Sequence, residues 1–342
     1  MITMRKILAI DAGGTSTRAV VLDLSGRCLG YGRAGSGNPT AAGIEGAVAE
    51  LGRAAQRAVT TAVSTTDHGS FALIALAGTV SPPLLRQLSA RFAELGFDGQ
   101  PIVEPDLLGT YYSGTFAQQG YALIAGTGAV AGRITGGRLG LSRGGTGWLL
   151  GDAGSGFWIG HQVVRAVVAS LDGLGPDTVL TQLVLDSLDI EAQDGGIRGR
   201  PHALVKLMEE TYALRPVDLA RFAPLAFAAP EDPIAHEIVS SAAAALADLL
   251  AATRAPDIVG PVVLGGSVLA AGLRVAPSIF AEPLKRAGGG ADLITVPDGV
   301  VGAAVLGLRH AGVHIDGEIF SRIRDGVARL HAEASQEEPA VG

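Results

Sequence analysis

ILAIDAGGTSTRAVVL, residues 7–22, reads as a strand, a tight glycine turn and a returning strand. Lys6 to Ile10 is apolar enough to run buried. Asp11 stands at the strand tip. Gly13 and Gly14 let the backbone fold back sharply, because glycine reaches positive φ without steric cost. Thr15, Ser16 and Thr17 add hydroxyls, and Arg18 to Leu22 leaves as a strand containing two β-branched valines. Consecutive backbone N–H groups beside small hydroxyls make a cradle for phosphate oxygens. The carboxylate at the tip is placed to hold a hydrated Mg²⁺. An ordinary β-hairpin with an aspartate in its turn would use the same residues.

The chain around this stretch has 342 residues, room for two domains with cores of their own. It is 48% hydrophobic and 17% charged, the balance of a globular protein rather than a disordered one. Net charge is −7 and no basic block occurs, which argues against nucleic acid or an anionic membrane surface as a partner. Cys28 is the only cysteine, so there is no internal disulfide, no CxxC redox pair and no zinc ribbon. A strand begins within the first ten residues, and no apolar leader with a small-residue cleavage site is read there. The most apolar helical stretch, Val239 to Ala252, is interrupted by Asp248 and reads as too short and alanine-rich to span a bilayer. A cytoplasmic protein is expected.

Three more features recur along the chain. YALIAGTGAVAGRITGGRLG, from Tyr121, repeats the opening pattern of strand, glycine turn, strand and turn, without the acidic residue. A fold present twice implies two similar halves facing each other. Gly144 to Gly160 holds seven glycines among seventeen residues, which only a shaped loop would choose. Pro261 to Ser267, PVVLGGS, is a buried strand breaking into a third glycine turn. Between these lie an amphipathic helix at Ile44 to Val63 and a short strand ending at Glu104-Pro105-Asp106, where Asp106 could serve as a helix cap. A helix from Gly156 is capped by Ser155. Residues 172–201 read as loop, followed by helices at His202 to Tyr212, Leu219 to Ala228 and Pro233 to Ala252. No GK[ST] follows a glycine loop, and the glycine spacing does not fit GxGxxG before a helix. Two hairpin cradles for phosphates and a strand–glycine–helix turn for a nucleoside is another arrangement.

In order, DAGGTST, GN, LAG, an Asp at a strand end, GTG, GDxGSGxWIG and LGGS resemble the BadF/BadG/BcrA/BcrD family, and within it the N-acetylglucosamine kinase branch of the actin/hexokinase/heat-shock chaperone superfamily. The resemblance runs from Ile7 to about Leu308. It implies an α/β, duplicated ribonuclease-H-like (actin-like ATPase) fold in two domains, with ATP and Mg²⁺ in the interdomain cleft. The domains would be residues 1–112 and 113–312, with the helix at about 313–334 packing back on the first. Asp11 would bind Mg²⁺ through water. Gly13, Gly14 and Thr15 would hold the β/γ-phosphates. Gly126, Thr127 and Gly128 would form the second phosphate loop, and Gly265, Gly266 and Ser267 would meet the nucleoside. Asp106 would be the catalytic base, and Asn38, Asp106, Gly145, Thr146 and Asp152 would bind the sugar. A homodimer is a further implication.

The sequence departs from the family pattern on the sugar side. Ala153 stands where an acidic residue is usual, Thr146 where an aromatic is usual, and Pro105 where an Asn precedes the catalytic Asp. The expected activity is phosphorylation of the 6-hydroxyl of N-acetylglucosamine or glucosamine. Of three alternatives, the last two differ in class. A kinase for another sugar, such as N-acetylmuramic acid, would keep every motif. An ATPase acting on a protein partner would need interface cysteines for an iron–sulfur cluster, and one cysteine does not supply them. A sugar-sensing regulator would need a DNA-binding helix pair ahead of Asp11. His161 reads as a packing or surface residue, and Trp148 and Trp158 read as core.

Overall fold

The computed structural model describes residues 5–62, 70–191, 196–197 and 199–337. In the first half, β1 (Lys6–Ala12), β2 (Thr17–Asp23) and β3 (Cys28–Ala34) form an antiparallel meander. After α1 (Pro39–Thr61), β4 (Phe71–Leu76) joins the free side of β1 in parallel. After α2 (Pro82–Ala93), β5 (Ile102–Pro105) extends the sheet, giving the order β3-β2-β1-β4-β5. Then α3 (Asp106–Gly114) leads to the second half.

There the topology repeats. The meander is β6 (Gly120–Ala125), β7 (Ala129–Thr135) and β8 (Arg138–Gly144). A helical insert follows: α4 (Gly156–Leu171), α5 (Leu180–Ser187), the short pair β9 (Gly196–Ile197) and β10 (Arg200–Pro201), α6 (His202–Ala213), a 3₁₀ turn (Pro216–Phe222), α7 (Ala223–Ala228) and α8 (Pro233–Ala251). Then β11 (Val262–Gly265), α9 (Ser267–Val275), α10 (Pro277–Ala287) and β12 (Leu293–Thr295) complete a sheet of order β12-β11-β6-β7-β8. The chain ends with α11 (Val300–His310) and α12 (Gly317–Glu337). The two sheets are topological copies, as the repeat in the sequence implied, and the α/β fold is the expected one.

Three apolar cores explain the composition. Leu8 and Ile10 face one side of β1 and pack with Leu51 and Leu88 of α1 and α2. Ile7 and Ala9 face the other side and join Tyr111 of α3, Ala303 of α11 and Ile323 of α12, together with Val263 of the second sheet. Tyr121 and Leu123 lie in the third core with Ile159, Leu246 and Phe280. A strand buried on both faces shows no alternation, so Lys6 to Ile10 reads as an unbroken apolar run. The middle core holds the halves together. At its centre α3 and α11 cross where Gly302 lies against the carbonyl of Gly109, leaving no space for a side chain. The Gly302 amide donates to Ser113 Oγ at 2.8 Å.

The structure departs from the expected elements in four places. The first helix starts at Pro39, not Ile44, and is broken at Gly43; its expected last residue, Val63, lies outside the described residues. Residues 172–201 contain α5, whose Leu180, Val184 and Leu185 are buried in the third core; positions 192–195 and 198 lie outside the described residues. The expected helix Leu219 to Ala228 is split into the 3₁₀ turn and α7, because Pro224 has no amide to donate and fits only a first helical turn. Finally, α8 has 19 residues and is long and apolar enough to cross a membrane. Its Ile238, Ala242 and Leu246 are buried in the third core, which is why a globular fold makes it so apolar.

Candidate active site

Because β1, β4 and β5 are parallel, their C-terminal ends share one edge; Ala12 pairs with Leu76 and Leu76 with Pro105. Asp11, the glycine turn, Gly78 and Asp106 therefore leave the first sheet on the same side. In the second sheet β6, β11 and β12 do the same, bringing Gly126–Gly128 and Gly265–Ser267 to one edge. The two edges face each other. A Cβ placed on Gly14 would lie 3.7 Å from Thr127 Oγ1. Between them opens a cavity of about 1000 Å³, bordered by Gly14, Thr15, Gly126, Thr127 and Ser267, with Phe227, Ala271 and Val275 making an apolar end. All three glycine turns of the sequence thus open on one space. Gly266 has φ +98°, a conformation that side chains resist, and there the strand turns into α9.

Asp11 is buried at the tip of β1, three residues before Gly14 on the cavity. Its Oδ2 accepts the Gly299 amide at 2.9 Å, just ahead of α11. Burial pushes its carboxyl up to about 7, with the nearby Asp298 carboxylate adding to the rise, and Asp106 adding less; the Gly299 amide and Arg18 oppose it. Arg18, the residue paired with Asp11 across the hairpin, reaches Asp298 at 3.1 Å and Ser16 Oγ at 2.8 Å. Asp298 and Arg18 are the site residues that sequence reasoning missed. The available signal was an acidic residue in VPDG directly after an expected strand, the same placement as Asp11.

Asp106 is the first residue of α3, and Pro105 holds the cap position without a side-chain hydrogen bond. The capping role considered for Asp106 is therefore absent. Its Oδ1 accepts the next amide, Leu107, at 2.9 Å. Burial raises its carboxyl to about 6, opposed by the amides of Leu107 and of Asp106 itself. The residue keeps partial exposure.

The other predicted positions fall into two groups. Asn38 caps α1, its Oδ1 accepting the Thr40 amide at 2.8 Å, and Gly78 packs against that oxygen. Asp152 is only 9% exposed and adopts φ +60°. It lies against Gly128, and its Oδ1 has no hydrogen-bond partner among the described residues. Burial raises its carboxyl, opposed by the amides of Ala129 and Gly147. The loop from Gly145 to Gly151 is pinned at one end by the Gly145 amide on Ala129 O at 2.8 Å. Gly145 and Thr146 are exposed in it. Trp148 is 40% exposed and leans on Phe157 at 5.6 Å between ring centroids, so it is not the core residue expected. Phe157 in turn stacks on His161 at 5.7 Å, the packing role read for that histidine.

With this geometry in hand, comparison with known proteins is informative. The sequence profile of the BadF/BadG/BcrA/BcrD ATPase family matches residues 8–307. An N-acetyl-D-glucosamine kinase of Dictyostelium discoideum is 28% identical over 257 residues, 71% of this chain and 77% of that protein. The glucosamine kinase GspK of Vibrio cholerae is 27% identical over 248 residues, 70% of this chain and 78% of that protein. Among solved structures, a proposed N-acetylglucosamine kinase of Chromobacterium violaceum superposes with a TM-score of 0.66 at 24% identity, covering 89% of this chain and 99% of that one. A ROK family glucokinase of Streptomyces griseus, in complex with glucose and AMPPNP, superposes with a TM-score of 0.53 at 21% identity, covering 90% of this chain and 99% of that one. The duplicated sheets, the three turns on one cavity and the profile match across nearly the whole length agree: the chain belongs to the BadF/BadG/BcrA/BcrD ATPase family.

Proposed function

We propose that this protein is an ATP-dependent amino-sugar kinase that phosphorylates the 6-hydroxyl of N-acetylglucosamine or glucosamine. The observation that carries the reading is the cavity of about 1000 Å³ onto which all three glycine turns open, with Asp106 near enough to Asp11 to add to the rise in its proton affinity. Curated relatives named for both sugars support the substrate class.

In this reading the amides of Gly13 to Thr15 and Gly126 to Gly128 cradle the phosphates, and Gly265, Gly266 and Ser267 carry the nucleoside toward the apolar end of the cavity. Asp106 faces the acceptor. The sugar oxygen forms a bond to the γ-phosphorus, the bond to the β-phosphate oxygen breaks, ADP leaves, and Asp106 takes the hydroxyl proton late in the transfer. Asp152 Oδ1, buried and without a partner among the described residues, accepts a sugar hydroxyl. Asn38 donates through its amide nitrogen, since its oxygen is committed to the helix cap.

The residues also suit Mg²⁺. Asp11 supplies a hard oxygen ligand, and a divalent cation would offset the burial and the nearby Asp298 and Asp106 carboxylates that raise its proton affinity. Among the described residues no cluster of three or more His, Cys, Asp or Glu could hold a metal ion alone, so Asp11 would hold it through water together with the nucleotide's phosphates. When bound, Mg²⁺ neutralises charge on the transferring phosphoryl group.

A coupled ATP-consumption assay across glucosamine, N-acetylglucosamine, N-acetylmuramic acid, N-acetylmannosamine and glucose tests the proposal. Consumption that depends on an amino sugar is expected. ATP consumption equal to the no-sugar blank for all five would overturn it.

A further inference from the structure

Arg215 joins the two halves of the molecule across the mouth of the cavity. Its Nη1 donates to the carbonyl of Ala41, 174 positions away, at 2.8 Å. Its Nε and Nη2 are gripped by the two carboxylate oxygens of Asp218 at 2.9 and 2.7 Å. The Ala41 carbonyl needs such a donor for a local reason. At Gly43, α1 is broken by φ 72° and ψ 168°, a region open essentially to glycine alone. The i to i+4 ladder does not continue through that conformation, so the carbonyl two residues before it loses its helical partner. The turn ahead of the break is closed by the Ala41 and Ala42 amides on Asn38 O, at 3.1 and 2.9 Å, and it carries Asn38 at its start. On the other side, Arg215 precedes the Pro216–Phe222 turn, whose Val217, Ala220 and Arg221 line the cavity; Ala41 and Arg215 border it too.

We propose that Arg215 is a positioning residue, a strap that holds the Asn38 turn against the second half and couples occupancy of the nucleotide cavity to sugar binding. The inference rests on the kinase reading above. An exposed ion pair alone contributes little. Here the two-point grip of Asp218 orients the planar guanidinium, and the third bond to Ala41 then costs little further ordering. Coupling between sites in proteins spans roughly 5- to 150-fold in affinity, and an exposed strap belongs at the lower end, about fivefold.

Two measurements on the full chain test this. Calorimetric titration of the sugar that the wild type phosphorylates, with and without AMPPNP, gives the coupling ratio. Small-angle scattering of the ligand-free chain gives the radius of gyration. The wild type should bind sugar about fivefold more tightly with nucleotide present, and Arg215→Ala should bring that ratio to one and enlarge the ligand-free radius. Arg215→Lys, which cannot fork onto Asp218 and reach Ala41 together, should behave like Arg215→Ala. Gly43→Ala offers an independent route. No atom lies within 4 Å of the added methyl, but alanine resists this backbone conformation, so the helix should run through and claim the Ala41 carbonyl. The same loss of coupling is expected. An Arg215→Ala protein with wild-type ratio and radius overturns the strap, and so does one that binds nucleotide less tightly but keeps the ratio. A wild type that phosphorylates no sugar, beside an Arg215→Ala radius that still grows, removes the kinase reading and leaves the strap standing.

Discussion

The amide of Gly299 donates to Oδ2 of Asp11 at 2.9 Å, so the start of α11 is tied to the tip of β1 across 288 positions. That bond gives the carboxylate one partner in a site otherwise crowded by Asp298 and Asp106. Burial, with Asp298 and then Asp106 adding to it, raises Asp11 to about 7, and burial raises Asp106 to about 6, both above an ordinary carboxyl at 3.8. A carboxyl that holds its proton more tightly when folded favours the fold at low pH and loses that contribution as pH rises. The window here runs from about 4 to about 7. The ligand-free chain should have a lower Tm at pH 8 than at pH 5. Asp11→Asn should raise Tm at pH 8, by a stabilisation on the order of 1–3 kcal/mol, and raise it less at pH 5. Thermal unfolding of both proteins at both pH values checks this; a variant less stable than wild type at pH 8 would sink it.

Asp106 makes the second prediction. A base must be unprotonated to take the acceptor's proton, so kcat/KM should climb with pH and level off above about 6. Asp106→Asn should lower kcat by roughly two to four powers of ten and leave AMPPNP affinity near wild type. Steady-state kinetics and calorimetry on one preparation check both parts. Activity that survives the substitution would mean that another group takes the proton.

How much of this was legible beforehand depends on how local each feature is. The three glycine turns could be read because each is contiguous: a strand, a glycine pair and a helix or strand follow one another within about a dozen residues. Asp11 and Asp106 were legible for the same reason, as acids at strand tips. The contacts among Asp298, Arg18 and Asp11, and the bond from Arg215 to Ala41, join residues far apart in the chain, and no periodicity encodes such pairs. The short α5 was missed because glycine-rich segments flank an amphipathic stretch of only eight residues. Trp148 was read as core rather than as a platform for a sugar, yet its loop is pinned by its backbone and leaves the ring 40% exposed.

The close approach of the two phosphate turns gives a steric test. A methyl on Gly14 would meet Thr127 Oγ1 at 3.7 Å, an ordinary contact, so Gly14→Ala should fold normally. The methyl would nevertheless stand in the gap where the proposed phosphates lie. AMPPNP affinity should fall by at least tenfold, about 1.4 kcal/mol, while Tm without ligand stays within about one degree. Calorimetry and thermal unfolding read the two quantities separately. Unchanged affinity would place the phosphates elsewhere.

The crossing of α3 and α11 should be the most sensitive point in the fold. Gly302 presses on the Gly109 carbonyl, and its amide is satisfied by Ser113 Oγ. A side chain at residue 302 cannot be relieved by a rotamer change, because its first carbon is what overlaps and the obstacle is backbone. Gly302→Ala should therefore push the helices apart and cost at least 1–3 kcal/mol, the usual range for overpacking. Ser113→Ala removes only the hydroxyl. It leaves the buried Gly302 amide without that partner, at a cost of about 1–3 kcal/mol from desolvation. Both variants should unfold at lower urea than wild type, Gly302→Ala the lower of the two. Because these helices lie in the core shared by both sheets, Gly302→Ala should also lose sugar-dependent ATP consumption before it unfolds. Wild-type stability in Gly302→Ala would show that the helices can separate freely, and that the two halves are not held by this contact.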